Sequence, residues 1–269
     1  MPSVNTGKNV IKSIKVYKDH ITLTFAKREK LNISKEAYLS TYLYEGKNLS
    51  KKEIDNLIEL TAISTLLNYA LSLVSKRHYS ERKMFEKLKS KEDNYQAINK
   101  VINKLKASDL LDDQAYMEDL IAWDDERHFG QNKIEEHLKK EGIPDSLINK
   151  VHFSQSKELK KAKGLIPKLE KKYSRYASEN RKKHIYQALL VQGFNYEVAK
   201  IAINDVKEDK PKVEQAKLLN DFKKIKNRFS KKYEGYELKQ KIYAALASKG
   251  YKNSDIKLIM EQYYEQNDF

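Results

Sequence analysis

The 269-residue chain is 40% hydrophobic, has no cysteine and carries 53 Lys and Arg against 38 Asp and Glu, a formal charge of +15. The missing cysteine excludes disulfides, thiol chemistry and cysteine-ligated zinc. Positive charge on this scale points to a polyanionic partner, most often nucleic acid, with a merely well-solvated surface as the plain alternative.

In chain order, the opening MPSVNTGKNVIKS lacks the apolar stretch of a secretory signal, and no apolar run approaches the ~20 residues of a membrane span. The expectation is a cytoplasmic protein with no membrane contact. Residues 11–33 then alternate. Ile14 and Val16 lead to a turn at Lys18-Asp19-His20, Ile21, Leu23 and Phe25 follow with period two, and Leu31 and Ile33 close the stretch. This predicts two or three short antiparallel strands. Everything after them reads as helix. Ser34 is placed to cap a short helix ending at Gly46. Ser50-Lys-Lys-Glu53 has capping-box spacing and opens a long helix to about Lys76. Ser80 caps the next, Asp93 or Asn94 the one after, and Asp112 a helix holding Tyr116 and Leu120. Gly130 breaks the chain, and Pro144 follows the Gly142 stop at a position that a first helical turn accepts.

One phrase occurs four times: RKMFEKLKSKEDNYQAINKVI, NKIEEHLKKEGIPDSLINKVH, KHIYQALLVQGFNYEVAKIAIND and QKIYAALASKGYKNSDIKLIMEQY. Met84, Ile134, Ile185 and Ile242 share one position, and Leu88, Leu138, Leu189 and Leu246 the next, four residues on. Gly142, Gly193 and Gly250 mark the turn, where the first copy has Glu92. Ile143, Phe194 and Tyr251 follow. The copies are spaced by 50, 51 and 57 residues, the signature of a small unit stacked in series. The predicted fold is mainly α: tandem three-helix, helix-turn-helix-like repeats forming an elongated curved rod, with a small β-rich N-terminal segment. The expected division is 1–50 for that segment and its short helix, then repeats at 51–106, 107–155, 156–207 and 208–269. Leu88, Ile134, Leu138, Gly142, Ile185, Leu189, Gly193, Ile242, Leu246 and Gly250 are the expected repeat core.

Basic residues gather in two blocks at matching places in successive repeats. Residues 157–183 hold eleven Lys and Arg against three Glu, and residues 223–241 hold eight against two. Tyr173, Tyr176 and Tyr186 lie in or beside the first block, Tyr233, Tyr236 and Tyr243 in or beside the second. Cations neutralise phosphates while aromatic faces stack on unpaired bases. The competing reading makes each Lys a solvated side chain and each Tyr a core residue. The nucleic-acid-contacting set expected from the sequence is Arg77, Arg127, Lys133, Lys168, Lys171, Lys172, Arg175, Arg181, Lys182, Lys183, Lys224, Arg228, Lys231 and Lys232. Residues 109–126 are the opposite, with eight acids and no Lys or Arg. Clustered carboxylates can hold Mg²⁺ for phosphoryl chemistry, but Asp112 reads better as a cap, Asp113 suits a first helical turn, and Asp124-Asp125-Glu126 stands next to Arg127 as an ion-pair partner. An acidic face toward a basic protein, or one that repels DNA, is a further reading. The six His are scattered without HxxxH or HExxH, and no GxxxxGK[ST] or GxSxG exists. The expectation is no enzyme, no catalytic residue, no metal and no cofactor.

The middle of the chain resembles the RecX family of recombination regulators. The carrying residues are Ala70-Leu71 and Leu73, Arg77-His78-Tyr79-Ser80-Glu81, Lys87-Leu88, then Ile98, Val101, Ile102 and Leu105. Leu110-Leu111-Asp112-Asp113 with Tyr116 follows, then Arg127, Gly130, Ile134, Leu138 and Gly142-Ile143. The R-x-x-S-E opening and the L-L-D-D-x-x-Y core are the most specific, and the resemblance covers roughly residues 60–265, as a long form with extra C-terminal repeats. Two places depart from it: Lys91-Glu92-Asp93 stands where the family has Lys-Gly, and the stretch from His128 to Lys133 is less basic than the family's usual Lys-Gly-x-Arg-Arg. The resemblance implies a non-enzymatic, monomeric negative regulator of RecA. Its partners would be the RecA–single-stranded-DNA filament, whose groove it would follow, and single- and double-stranded DNA. It would slow ATP turnover, strand exchange and filament growth in homologous recombination, DNA repair and the SOS response. The residues alone leave two other readings open: a general DNA- or RNA-binding protein of tandem helix-turn-helix modules, and a Mg²⁺-dependent nuclease using Asp112, Asp113 or Asp119.

Overall fold

The computed structural model describes residues 8–265, so the first seven residues of the opening lie outside it. Strands β1 (Ile11–Val16), β2 (Ile21–Phe25) and β3 (Lys30–Ile33) form one antiparallel sheet in chain order. Val16 pairs with Ile21, Ile14 with Leu23, and Leu23 with Leu31, with an irregularity between Ile11 and Ser13. Ile11, Ile21, Leu23, Phe25 and Ile33 bury against Ala37, Leu43, Leu49 and Leu57. Ser34 caps helix α1 (Lys35–Leu39), its side chain accepting from the Ala37 amide. This helix stops at Leu39, not at the expected Gly46. Gly46, with φ +94°, turns the chain back to β1 instead, where its amide donates to the Ile11 carbonyl at 2.7 Å.

Helix α2 (Lys51–Val74) opens with the complete capping box of Ser50 and Glu53. Its 24 residues include an 18-residue window of mean hydropathy 1.6, apolar enough by length and composition alone to cross a bilayer, a test that the core helix of a water-soluble protein passes as well. Glu59, Thr61, Ser64, Thr65, Asn68 and Ser72 break up its apolar residues, so no unbroken apolar run approaches the length of a span. Here Leu57 buries in the sheet core. Ile63, Leu66 and Ala70 join Met84, Leu88, Ile98, Val101 and Leu105 of helices α3 (Glu81–Lys89) and α4 (Tyr95–Ala107). Ser80 caps α3 and Asn94 caps α4.

Helices α5 (Asp113–Glu126), α6 (Gln131–Glu141) and α7 (Asp145–Ile148) follow. The chain forms two compact units whose boundary runs inside α5 and α6. One takes the residues up to Asp119 with Leu138–Asn149, the other Leu120–His137 with everything from Lys150. In the second unit, α8 (Gln155–Lys172), α9 (Ser178–Val191) and α10 (Tyr196–Ala202) close on Ala162, Ile166, Ile185, Leu189, Phe194 and Val198. A 3-10 turn over Ile203–Asp205 leads to α11 (Pro211–Phe229), α12 (Gly235–Ser248) and α13 (Asn253–Glu265), which close on Leu218, Phe222, Ile242, Leu246, Tyr251 and Ile256. Met84, Ile134, Ile185 and Ile242 are fully buried, as are Leu88, Leu138, Leu189 and Leu246. Gly142, Gly193 and Gly250 have φ of +89°, +96° and +88°, and the next residue's amide reaches back to the carbonyl of Leu138, Leu189 or Leu246, the Schellman arrangement.

One hydrogen-bonding pattern recurs at three places. The amide of Glu81, at the start of α3, donates to the Asp113 carboxylate of α5 at 2.8 Å. The Gln131 amide, opening α6, donates to Glu158 of α8 at 2.9 Å. The Ser178 amide, opening α9, donates to Glu214 of α11 at 3.0 Å. Each carboxylate satisfies a free helix N-terminus and favours its positive dipole end. Beside each lies a turn glycine: a Cβ on Gly142 would meet Ser80 and Arg82, one on Gly193 would meet Lys133 and Gly130, and one on Gly250 would meet Asn180, all at 2.9 Å or less. Burial pushes the Asp113 carboxyl above its usual range against the helix-end hydrogen bond that lowers it.

Candidate nucleic-acid interface

The last turn of an α-helix presents unpaired carbonyls and a partial negative charge, so cations collect there. Lys171 and Lys172 occupy that turn in α8 with Lys168 just before it, and Lys226 and Arg228 occupy it in α11 with Lys224 just before. Arg175 stands just past α8, and Lys231 and Lys232 just past α11. Lys168, Lys171, Lys172, Arg175, Lys224, Arg228, Lys231 and Lys232 are all exposed. Among the described residues none of these eight meets a carboxylate within ion-pair distance.

Aromatic rings underlie both groups. Lys172 lies 5.1 Å over Tyr173 and Arg175 5.1 Å over Tyr176, while both rings pack on His184 at 5.3 and 4.2 Å. Arg228 lies 4.5 Å over Phe229, and Lys241 5.3 Å over Tyr233. Tyr173, Tyr186 and Tyr243 are partly buried against the helical cores, whereas Tyr236 is 77% exposed.

Other members of the expected set are engaged by neighbouring side chains. Arg181 is a correction. It is buried, donating to Asp209 at 2.9 Å and to the Lys207 carbonyl at 2.7 Å. A guanidinium held this way ties α9 to the segment before α11 and cannot meet a phosphate. Burial alone would raise the Asp209 carboxyl, but hydrogen bonds from Arg181 and Lys217 outweigh it and hold the group below its usual range. Lys182 pairs with Glu208 at 2.7 Å and Lys183 with Glu179 at 3.1 Å. Arg77 is exposed and lies 4.3 Å over Tyr79.

Arg127 and Lys133 sit in a separate row. The Arg127 guanidinium is 4.2 Å from the Trp123 ring centre and 4.8 Å from that of Phe129, and Lys133 is 4.0 Å from Phe129. Trp123 and Phe129 were not among the residues expected from the sequence. The signal that reveals Trp123 is spacing: an Arg four residues after a Trp at a helix end is placed for a cation–π contact.

The acids of 109–126 serve separate local duties. Asp112 caps α5, its carboxylate accepting from the Gln114 and Ala115 amides at 2.8 and 3.1 Å. Asp124 does not pair with Arg127 as expected. It is fully buried and holds His137 Nδ1 at 2.7 Å, and Asp125 pairs with Lys161 at 2.6 Å. No group of three or more His, Asp or Glu among the described residues is arranged to hold a metal ion.

A family model described as RecX, third three-helix domain, matches residues 213–260, which run from α11 into α13. The regulatory protein RecX of Streptococcus agalactiae serotype Ia is 26% identical over 246 residues, 90% of this chain and 95% of the relative. The same-named protein of Lactococcus lactis is 27% identical over 246 residues, with 89% and 91% covered. That of Streptococcus gordonii is 28% identical over 244, with 88% and 92% covered. In three dimensions, a crystal structure of regulatory protein RecX matches 73% of this chain and 99% of its own at a TM-score of 0.58 and 21% identity, a likeness of fold. RecX from Lactobacillus salivarius matches 54% of this chain and 96% of its own at a TM-score of 0.50 and 28% identity. Relatives named regulatory protein RecX thus span nearly the whole length of this chain, crystal structures of the same name share its helical-repeat fold, and the chain is similar to the RecX family throughout.

Proposed function

We propose that this protein is a negative regulator of RecA, acting in the cytoplasm as a monomer on the RecA–single-stranded-DNA filament. It slows the filament's ATP turnover, strand exchange and growth without catalysing a reaction of its own. The observation that carries the reading is the pair of matching cation groups, Lys168, Lys171, Lys172 and Arg175 with Lys224, Arg228, Lys231 and Lys232, exposed and without carboxylate partners among the described residues, on successive three-helix sets of a chain whose relatives are named for regulation. Unneutralised cations at a repeat spacing suit a polyanion that itself repeats, and several weak contacts on one lattice raise affinity without any single strong site. In this proposal the four repeats at 51–106, 107–155, 156–207 and 208–269 are the modules of contact.

The test is RecA ATP turnover on single-stranded DNA, with the protein titrated in below stoichiometry. Strong inhibition at amounts too small to coat the DNA is the expected result. Inhibition only near saturation of the DNA would instead make the protein a general nucleic-acid binder.

A further inference from the structure

We propose that Trp123 is a stacking site for an unpaired nucleobase, with Arg127 and Lys133 meeting the flanking phosphates. This rests on the nucleic-acid part of the function proposed above and adds a site outside the two cation groups that carry it.

Four observations converge. Trp123 is the chain's single tryptophan, and it is 50% exposed. An indole joins an apolar body to a polar N–H, and this combination makes Trp enriched at interfaces where one end is apolar and the other wet. Next, the ring belongs to a continuous row. His137 lies 5.9 Å from it, Arg127 lies over it at 4.2 Å and over Phe129 at 4.8 Å, and Lys133 lies over Phe129 at 4.0 Å. The row is also held from below. Asp124 is fully buried, one carboxylate oxygen binds His137 Nδ1 at 2.7 Å, and the other has no partner. A buried carboxylate with one committed oxygen fixes the imidazole beside the indole. Finally, Arg127 and Lys133 have no carboxylate within ion-pair distance among the described residues, although nearby Lys161 is paired with both Asp125 and Glu158.

A partner that satisfies both the open ring and the two unpaired cations must carry flat π faces and regular negative charge. Single-stranded nucleic acid has both, whereas a duplex hides its faces inside the stack. Arg127 suits the boundary between the two chemistries, because a guanidinium stacks on an aromatic plane while its N–H edges remain free for phosphate.

The single tryptophan makes the test direct. The full chain is titrated with a fluorescein-labelled oligo-dT and, separately, with a labelled abasic strand of equal length, following both label anisotropy and tryptophan emission. The expected result is quenching by oligo-dT and little by the abasic strand. Trp123→Ala should weaken oligo-dT binding by ~5- to 150-fold, and Trp123→Phe by much less. Binding seen by anisotropy with unchanged emission, or equal quenching by the abasic strand, overturns the stacking site and leaves the wider reading standing. No anisotropy change with either strand overturns direct DNA contact and the stacking site together. Because the wild-type emission needs no variant, an unfolded Trp123→Ala does not remove the test.

Discussion

At the residue scale, the same side-chain type does opposite jobs according to what lies against it. Leu246 and Leu189 are fully buried inside three-helix cores. Leu246→Ala should lower unfolding stability by ~2–5 kcal/mol, read by urea denaturation, because it removes apolar contacts and leaves a cavity. Arg181 illustrates the other extreme. It lies in a run of cations that reads as surface, yet its side chain is buried beside Asp209, 28 residues ahead. Asp209→Ala strands that guanidinium without its charge partner and should cost ~3–5 kcal/mol, well beyond an exposed pair. The pH dependence follows from the direction of the shift. The folded-state carboxyl titrates below its usual value, so its contribution is fully present above about pH 4, the unfolded value, and is lost as pH falls through the folded one. Urea midpoints measured between pH 6 and pH 3 should therefore fall less steeply in Asp209→Asn than in the wild type.

At the element scale, the helices were legible because their ends are written locally. Ser34, Ser50, Ser80, Asn94 and Asp112 all accept hydrogen bonds from the helix starts they precede. The end of α1 was not legible, since Gly46 satisfies the rule for a helix stop while serving a strand return. Pro167 is the converse: it lies inside α8, where a local rule would end the helix, and Ala162 and Ile166 bury the turn before it in a tertiary core. The turn glycines combine two demands, a left-handed backbone and a close neighbour. Gly46 and Gly193 have nearly equal φ, +94° and +96°, but only Gly193 faces backbone, where an added Cβ would stand 2.6 Å from the Lys133 nitrogen. Gly46→Ala should therefore cost only the backbone strain of ~1–2 kcal/mol, and Gly193→Ala clearly more. Thermal melts of the two variants side by side isolate the contribution of the helix-start contact.

At the scale of the whole molecule, net charge and repeat spacing lead to one prediction. Reversing Lys171, Lys172 and Arg175 to Glu should weaken DNA and filament binding. If each meets a phosphate, it should also flatten the slope of log affinity against log salt by up to about 2.7 units. The three side chains are exposed, so circular dichroism should be unchanged. An unaltered slope would assign them to helix-end stabilisation alone. The sequence by itself determined the helical class, the N-terminal strands, the four-fold phrase and the caps, because these depend on residues a few positions apart. Only the tertiary structure decided which cations stay free, that Arg181 and Asp124 are buried, and that Trp123 stands in a cation–aromatic row. Those outcomes are set by burial or by partners more than ten residues away, His137 for Trp123 and Asp124 and Asp209 for Arg181, and pairing of that kind leaves no periodic trace in the chain.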